Sequence, residues 1–158
     1  MDPPAVLTRP DPAGAVVSGR TLAVDPGEKR LGIALSDPTG ILARPLAVIR
    51  HVSRAVDAAQ IAALAADHGA ERIIIGTALD DEGLPTPQSR HAERLAEAVR
   101  LQTGLPVELW DESGSTQEAR ETRILQGVSR RRRSGHLDDV AAAVILQTYL
   151  DAHSQGTA

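Results

Sequence analysis

A chain of 158 residues with a formal net charge of −4 and a sequence pI of about 5.7 has material for one ordinary domain and no whole-molecule basic field to gather nucleic acid. It contains no cysteine or phenylalanine, one tryptophan and one tyrosine, which excludes disulfides, thiolate metal sites and an aromatic platform for stacked bases. With neither a run long enough to cross a bilayer nor a basic-then-apolar leader, the chain is expected to be soluble and cytoplasmic, with no membrane partner.

Residues 1–19, with Pro3, Pro4, Pro10 and Pro12 and no apolar periodicity, read as a flexible leader. The folded domain is expected over 20–151, followed by a tail at 152–158. Two strands, 20–25 and 31–36, flank a glycine-containing turn, and Ile41 to Ile49 supplies a third, with Pro45 marking an edge or a bulge. These form an antiparallel meander. Ser53 caps an Ala-rich helix in which Ile61, Leu64, Ala65 and His68 share a face, and Gly69 stops it.

A buried strand at 72–76 leads to a polar loop at 77–86, with residues 76–83 read as a mobile segment, and then to a helix that starts at Pro87 and buries Ala92, Leu95 and Val99. Thr103-Gly104 ends that helix, and a fifth strand spans 105–110. Ser115 with Glu118 forms a capping-box pattern before a helix to about Gln126, residues 130–135 are loop, and the last helix covers roughly 137–151. Strands that alternate with helices after a meander imply an α/β fold. Its mixed five-stranded sheet has strands 1–3 antiparallel and strands 4–5 parallel, flanked by helices.

Three acids stand out. Asp25 ends the run Thr21-Leu22-Ala23-Val24, where an unpaired buried carboxylate would cost several kcal/mol unless a cation or hydrogen bonds meet it. Glu112 follows Asp111 at the end of the fifth strand, and adjacent like charges disfavour ionisation unless a cation is present. Asp138 opens the last helix beside Asp139. Both acids suit the helix dipole, but adjacent residues point to different faces, and Asp138 shares its face with Ala142, Ile145 and Tyr149. Three such carboxylates suit divalent metal.

Basic residues lie near each acid in sequence: Lys29 and Arg30 after Asp25, Arg120 and Arg123 before the last loop, and Arg130, Arg131, Arg132 and Arg133 ahead of Asp138. A run of arginines is often only a solvated loop. Around metal-binding acids it would instead attract a phosphodiester that the carboxylates alone repel. The turn Asp25-Pro26-Gly27 also reads as plain hairpin punctuation, or as a phosphate-cradling hairpin of actin-like kinases, for whose second lobe the chain has no room. The five histidines show no paired ligand spacing, the nucleophile elbow G-x-S-x-G is absent, and residues 76–83 fail the EF-hand spacing.

The segments LAVDPGEKRLGIALSD at 22–37, IIIGTALDDEG at 73–83, LPVELWDESGST at 105–116 and LDDVAAAVILQTYL at 137–150 resemble, in order, the motifs of the YqgF/RuvX family of ribonuclease H-like proteins. The resemblance spans about residues 20–151. It implies a ribonuclease H-like fold and a metal-dependent nuclease that acts in processing of the pre-16S rRNA precursor during ribosome biogenesis. The alternative is a Holliday junction resolvase on branched DNA in recombination and repair, which would need a two-fold homodimer. An alternative of another class is a nucleic-acid-binding module without turnover.

The resemblance further implies that Asp25, Glu112 and Asp138 are catalytic and hold two Mg2+ or Mn2+ ions, roughly 4 Å apart in a two-metal site. Lys29, Arg30, Arg120, Arg123 and Arg130 to Arg133 would then contact nucleic acid. Where the family commonly has Asp-Glu-Arg this chain has Asp111-Glu112-Ser113-Gly114, and where many members have Gly-x-Pro it has Gly76-Thr77-Ala78.

Overall fold

Five short runs rich in Val, Ile and Leu become strands: β1 (Arg20–Pro26), β2 (Arg30–Ser36), β3 (Ala43–Arg50), β4 (Ala70–Thr77) and β5 (Val107–Asp111). The computed structural model describes residues 19–111 and 137–154, and three helices stand among them: α1 (Arg54–Asp67), α2 (Pro87–Arg100) and α3 (Leu137–Ser154). The strands form one sheet in the order β3-β2-β1-β4-β5. β1, β2 and β3 make the expected antiparallel meander, whereas β4 runs parallel to β1 and β5 parallel to β4. The crossover from β3 to β4 passes through α1, and that from β4 to β5 through α2, as parallel pairing requires.

Period-2 alternation divides the core between the two faces of the sheet. Leu22, Val24, Leu31, Ile33, Ile73, Ile75 and Val107 pack under α1 and α2 against Ile61, Ala65, Leu95 and Val99. Ala23, Ala34 and Ile74 point the other way, to Ala142, Ile145, Leu146 and Tyr149 of α3. Each Leu or Ile fully withdrawn from water contributes about 2 kcal/mol of transfer free energy. Small residues dominate the strand surface under α3, so that helix settles close to the sheet. Trp110 closes the cluster, with its indole N–H donating to Thr148 Oγ1 at 2.9 Å and its ring meeting Tyr149 edge-on at 5.2 Å.

Helix ends follow their capping residues. Ser53 Oγ accepts the Val56 amide at 3.2 Å, and Gly69 takes φ of +68° just past the C-cap His68. Thr86 and Ser89 form a reciprocal capping box at the start of α2, where Pro87 occupies the first turn.

Several expected boundaries move. β3 begins at Ala43 rather than Ile41, because the Asp37 carboxylate takes the amides of Ile41 and Leu42 at 2.8 and 2.9 Å and leaves both side chains exposed. β4 starts at Ala70 and runs to Thr77, one residue further than expected. α2 ends at Arg100, and β5 starts at Val107, since Pro106 has no amide to give the ladder. α3 continues to Ser154. The loop after β4 is built around Asp80, whose carboxylate accepts the amides of Glu82 and Leu84 at 2.9 and 2.8 Å. The helix expected over 115–126 lies outside the described residues, and none of the described helices is long and apolar enough to cross a membrane.

β3 is an edge strand, which is where Pro45 is tolerated. Its ladder with β2 slips by one residue: Ile33 pairs with Ala47 but Ala34 with Pro45, leaving Leu46 extra. A one-residue bulge exchanges the faces of everything beyond it.

Candidate functional site

Asp25 stands at the carboxyl end of β1, the central strand, one residue past the paired Val24 and Ile75. It is half-buried and, by alternation from Ala23, belongs to the sheet face covered by α3. Beyond it the hairpin closes with the Gly27 amide donating to the Arg30 carbonyl at 3.0 Å. A β-carbon on Gly27 would sit 2.4 Å from that oxygen, so only glycine permits this turn.

β1, β4 and β5 run in the same direction, so their carboxyl ends gather Asp25, Gly76, Thr77 and Asp111 on one edge. Crevices at such edges are the usual ligand sites of open α/β sheets. Here the crevice is a cavity of about 100 Å³ lined by Asp25, Pro26, Gly76, Thr77, Ala78 and Gln88. Gln88 comes from the first turn of α2, and Thr86 Oγ1 ties that turn to the Ala78 carbonyl at 3.0 Å. Thr77 Oγ1 is buried and, among the described residues, has no hydrogen-bond partner. Sequence reading singled out neither Thr77 nor Gln88, since a threonine at a strand end and a glutamine in a helix look ordinary until the cavity joins them.

The direction of α3 places its start. Ile145 lies against Gly76, while four residues on the Tyr149 hydroxyl reaches Glu108 at 3.5 Å. Glu108 pairs with Ile74, two residues below Gly76, so α3 descends toward the amino ends of the parallel strands. Its first turn, which includes Asp138, therefore lies toward the carboxyl edge, seven residues and roughly 10 Å of helix before Ile145.

By alternation Asp111 and its ladder partner Thr77 belong with Val107, Leu109, Ile73 and Ile75 on the α1/α2 face, opposite to Asp25, and Thr77 meets Asp25 as a wall of the cavity at the sheet edge. Lys29 and Arg30 are exposed on the β1–β2 hairpin. Glu112, Arg120, Arg123, Arg130, Arg131, Arg132 and Arg133 lie outside the described residues. Among the described residues no group of three or more acidic, His or Cys side chains gathers to hold a metal.

On the opposite side of the same edge, the buried Asp57 accepts from the Val52 amide at 3.0 Å and pairs with His51 Nδ1 at 2.5 Å. The His51 amide in turn donates to the Lys29 carbonyl at 2.9 Å, which fixes the hairpin to the end of β3. His91 of α2 sits beside them. Partial burial, then the charges of Arg54 and His51, hold its pKa below the usual 6.5.

The model of the RuvX family, described as Holliday junction resolvase, matches residues 19–152. A protein of Myxococcus xanthus provisionally named a pre-16S rRNA nuclease is 37% identical over 134 residues, covering 85% of this chain and 89% of the relative. One of the same name from Anaeromyxobacter is 42% identical over 132 residues, covering 84% and 96%. Among solved structures, RuvC of Thermus thermophilus superposes with a TM-score of 0.52 at 15% identity, covering 84% of this chain and 97% of RuvC. That likeness establishes the ribonuclease H-like fold expected from the sequence.

Proposed function

Because the chain belongs to the RuvX family, we propose that it is a nuclease that hydrolyses phosphodiester bonds of structured nucleic acid, with the pre-16S rRNA precursor as its substrate. The observation that carries this reading is the position of Asp25, a carboxylate at the carboxyl end of the central strand that opens on a cavity where α2 begins and toward which α3 starts.

Described donors around that cavity are oxygen or amide groups, from Asp25, Thr77 and Gln88, and the chain has no thiolate. Such a set fits a hard divalent cation, Mg2+ or Mn2+, better than zinc. Asp25 would hold the cations together with Glu112, which follows β5 in the sequence, and Asp138 from the start of α3. When bound, paired cations supply an activated water and neutralise charge on the leaving oxygen. The chain's own groups do the rest. The carboxylates fix the reacting centre at the sheet edge, Thr77 and Gln88 offer hydrogen bonds to phosphate oxygens, and Lys29, Arg30, Arg120, Arg123 and Arg130 to Arg133 neutralise flanking phosphates.

A second reading, resolution of four-way DNA junctions, is favoured by the family description and by the RuvC fold. It requires a symmetric dimer to cut two strands. Incubating the protein with labelled precursor RNA, single strands and four-way junctions side by side in Mg2+ or Mn2+ separates the two. Precursor RNA is expected to be cut, and a protein that cuts only junctions as a dimer would overturn the first reading in favour of the second.

A further inference from the structure

Arg30 and Arg50 are direct partners in the β2–β3 ladder. Residues opposite one another in an antiparallel pair have β-carbons about 5 Å apart, and like charges so placed destabilise the sheet. Both arginines are exposed, and among the described residues neither takes part in an ion pair. The arrangement is therefore unfavourable in the absence of an anion.

The bulge at Leu46 decides which way Arg50 points. Before it, Pro45 lies opposite Ala34 on the face covered by α3; beyond it, the even positions Val48 and Arg50 lie opposite Gly32 and Arg30 on that same face. Without the extra residue, Arg50 would project among the side chains under α1. Asp25 belongs to this face too, and its own ladder partner is Gly32. From Gly32 to Arg30 is two residues, roughly 7 Å of strand. Between the acid and the two guanidinium groups the sheet presents only Gly32 and Val48, a floor without charge.

Resting on the nuclease reading above, we propose that Arg30 and Arg50 together grip one backbone phosphate next to the one at Asp25, so that the nucleic-acid strand leaves the reacting centre across Gly32 toward the free edge of the sheet. Two guanidinium groups on one face match the oxygens of a single phosphate and relieve their mutual repulsion when it binds. The Lys29–His51 backbone bond holds the ends of both strands in place. Arg50 is a phosphate contact that reads no base, so RNA and DNA are affected alike.

The test is fluorescence anisotropy with a labelled single-stranded RNA and a labelled four-way DNA junction, in EDTA to prevent cleavage and over a range of salt. Arg50→Gln is expected to weaken binding to both several-fold and to lower the slope of log Kd against log salt by about one. The Arg30→Gln, Arg50→Gln double variant is expected to lose less than the product of the single losses, because the two side chains share a phosphate. Arg44→Gln removes the same charge from the far end of β3 and is expected to change neither quantity. Thermal melting of Arg50→Gln should match or exceed that of the parent, since a like-charge pair is removed, whereas a structural arginine would lower it. Equal behaviour of Arg50→Gln and Arg44→Gln overturns the inference. Asp25→Asn, scored by cleavage alone, tests the nuclease reading separately.

Discussion

Gly76 and Ile145 touch so closely that a β-carbon on Gly76 would stand 2.6 Å from Ile145 Cδ1, which makes this glycine the seat of α3 on the sheet at the level of Asp25. Gly76→Ala must push α3 aside, and overpacking of this kind costs about 1–3 kcal/mol. Ile145→Val removes the offending methyl. The double variant should be more stable in urea than Gly76→Ala alone, and a simple sum of the two losses would show that the contact is not the cause.

Thr77 Oγ1 is buried without a partner among the described residues, so its hydroxyl costs stability rather than adding it. Thr77→Val is expected to leave the urea midpoint unchanged or raised while lowering cleavage several-fold. Loss of stability with normal cleavage would show the hydroxyl to be structural.

Asp57 serves the Val52 amide and His51 from a fully buried position. Asp57→Ala leaves that amide unsatisfied and should cost about 1–3 kcal/mol. The β3–α1 corner and the β1–β2 hairpin it braces should then exchange amide protons faster, as read by hydrogen exchange at Lys29, His51 and Val52.

His91 carries a lowered pKa, so the unfolded chain takes up a proton more readily than the fold does. Stability is therefore undiminished above about pH 6.5 and falls as pH drops through the unfolded value, until the folded imidazole is also protonated. His91→Gln should flatten this acid-side slope in urea titrations at a series of pH values. Arg54, His51 and Arg94 push in the lowering direction and Asp57 against it, so Arg54→Gln should flatten the slope in part.

Most of the fold was legible because its signals are local. Apolar runs, Ser53 and Pro87 at helix starts and Gly69 at a helix stop gave the element order, and the ladders follow it. What escaped was set by long-range pairing. The bulge that turns Arg50 to the face of Asp25 depends on register between β2 and β3, and neither strand shows it alone. The His51–Asp57 pair joins a strand end to a helix turn, a contact no histidine spacing announces. Asp25 was legible because an acid closing a buried strand is costly, whereas Thr77 and Gln88 carry no such signature and emerge only as walls of one cavity. In the loop after β4, Asp80 accepts from amides two and four residues ahead, a local arrangement that its run of acids does not announce.

The central claim is that Asp25, Glu112 and Asp138 serve one divalent-cation site. Titration of Mn2+ into the parent and into Asp25→Asn, Glu112→Gln and Asp138→Asn, followed by calorimetry and paired with cleavage of labelled precursor RNA, tests it directly. Each substitution should weaken Mn2+ binding at least tenfold and abolish cleavage while the circular dichroism spectrum stays that of the parent. A variant that binds Mn2+ and cuts RNA as the parent does would remove its acid from the site and contradict the account.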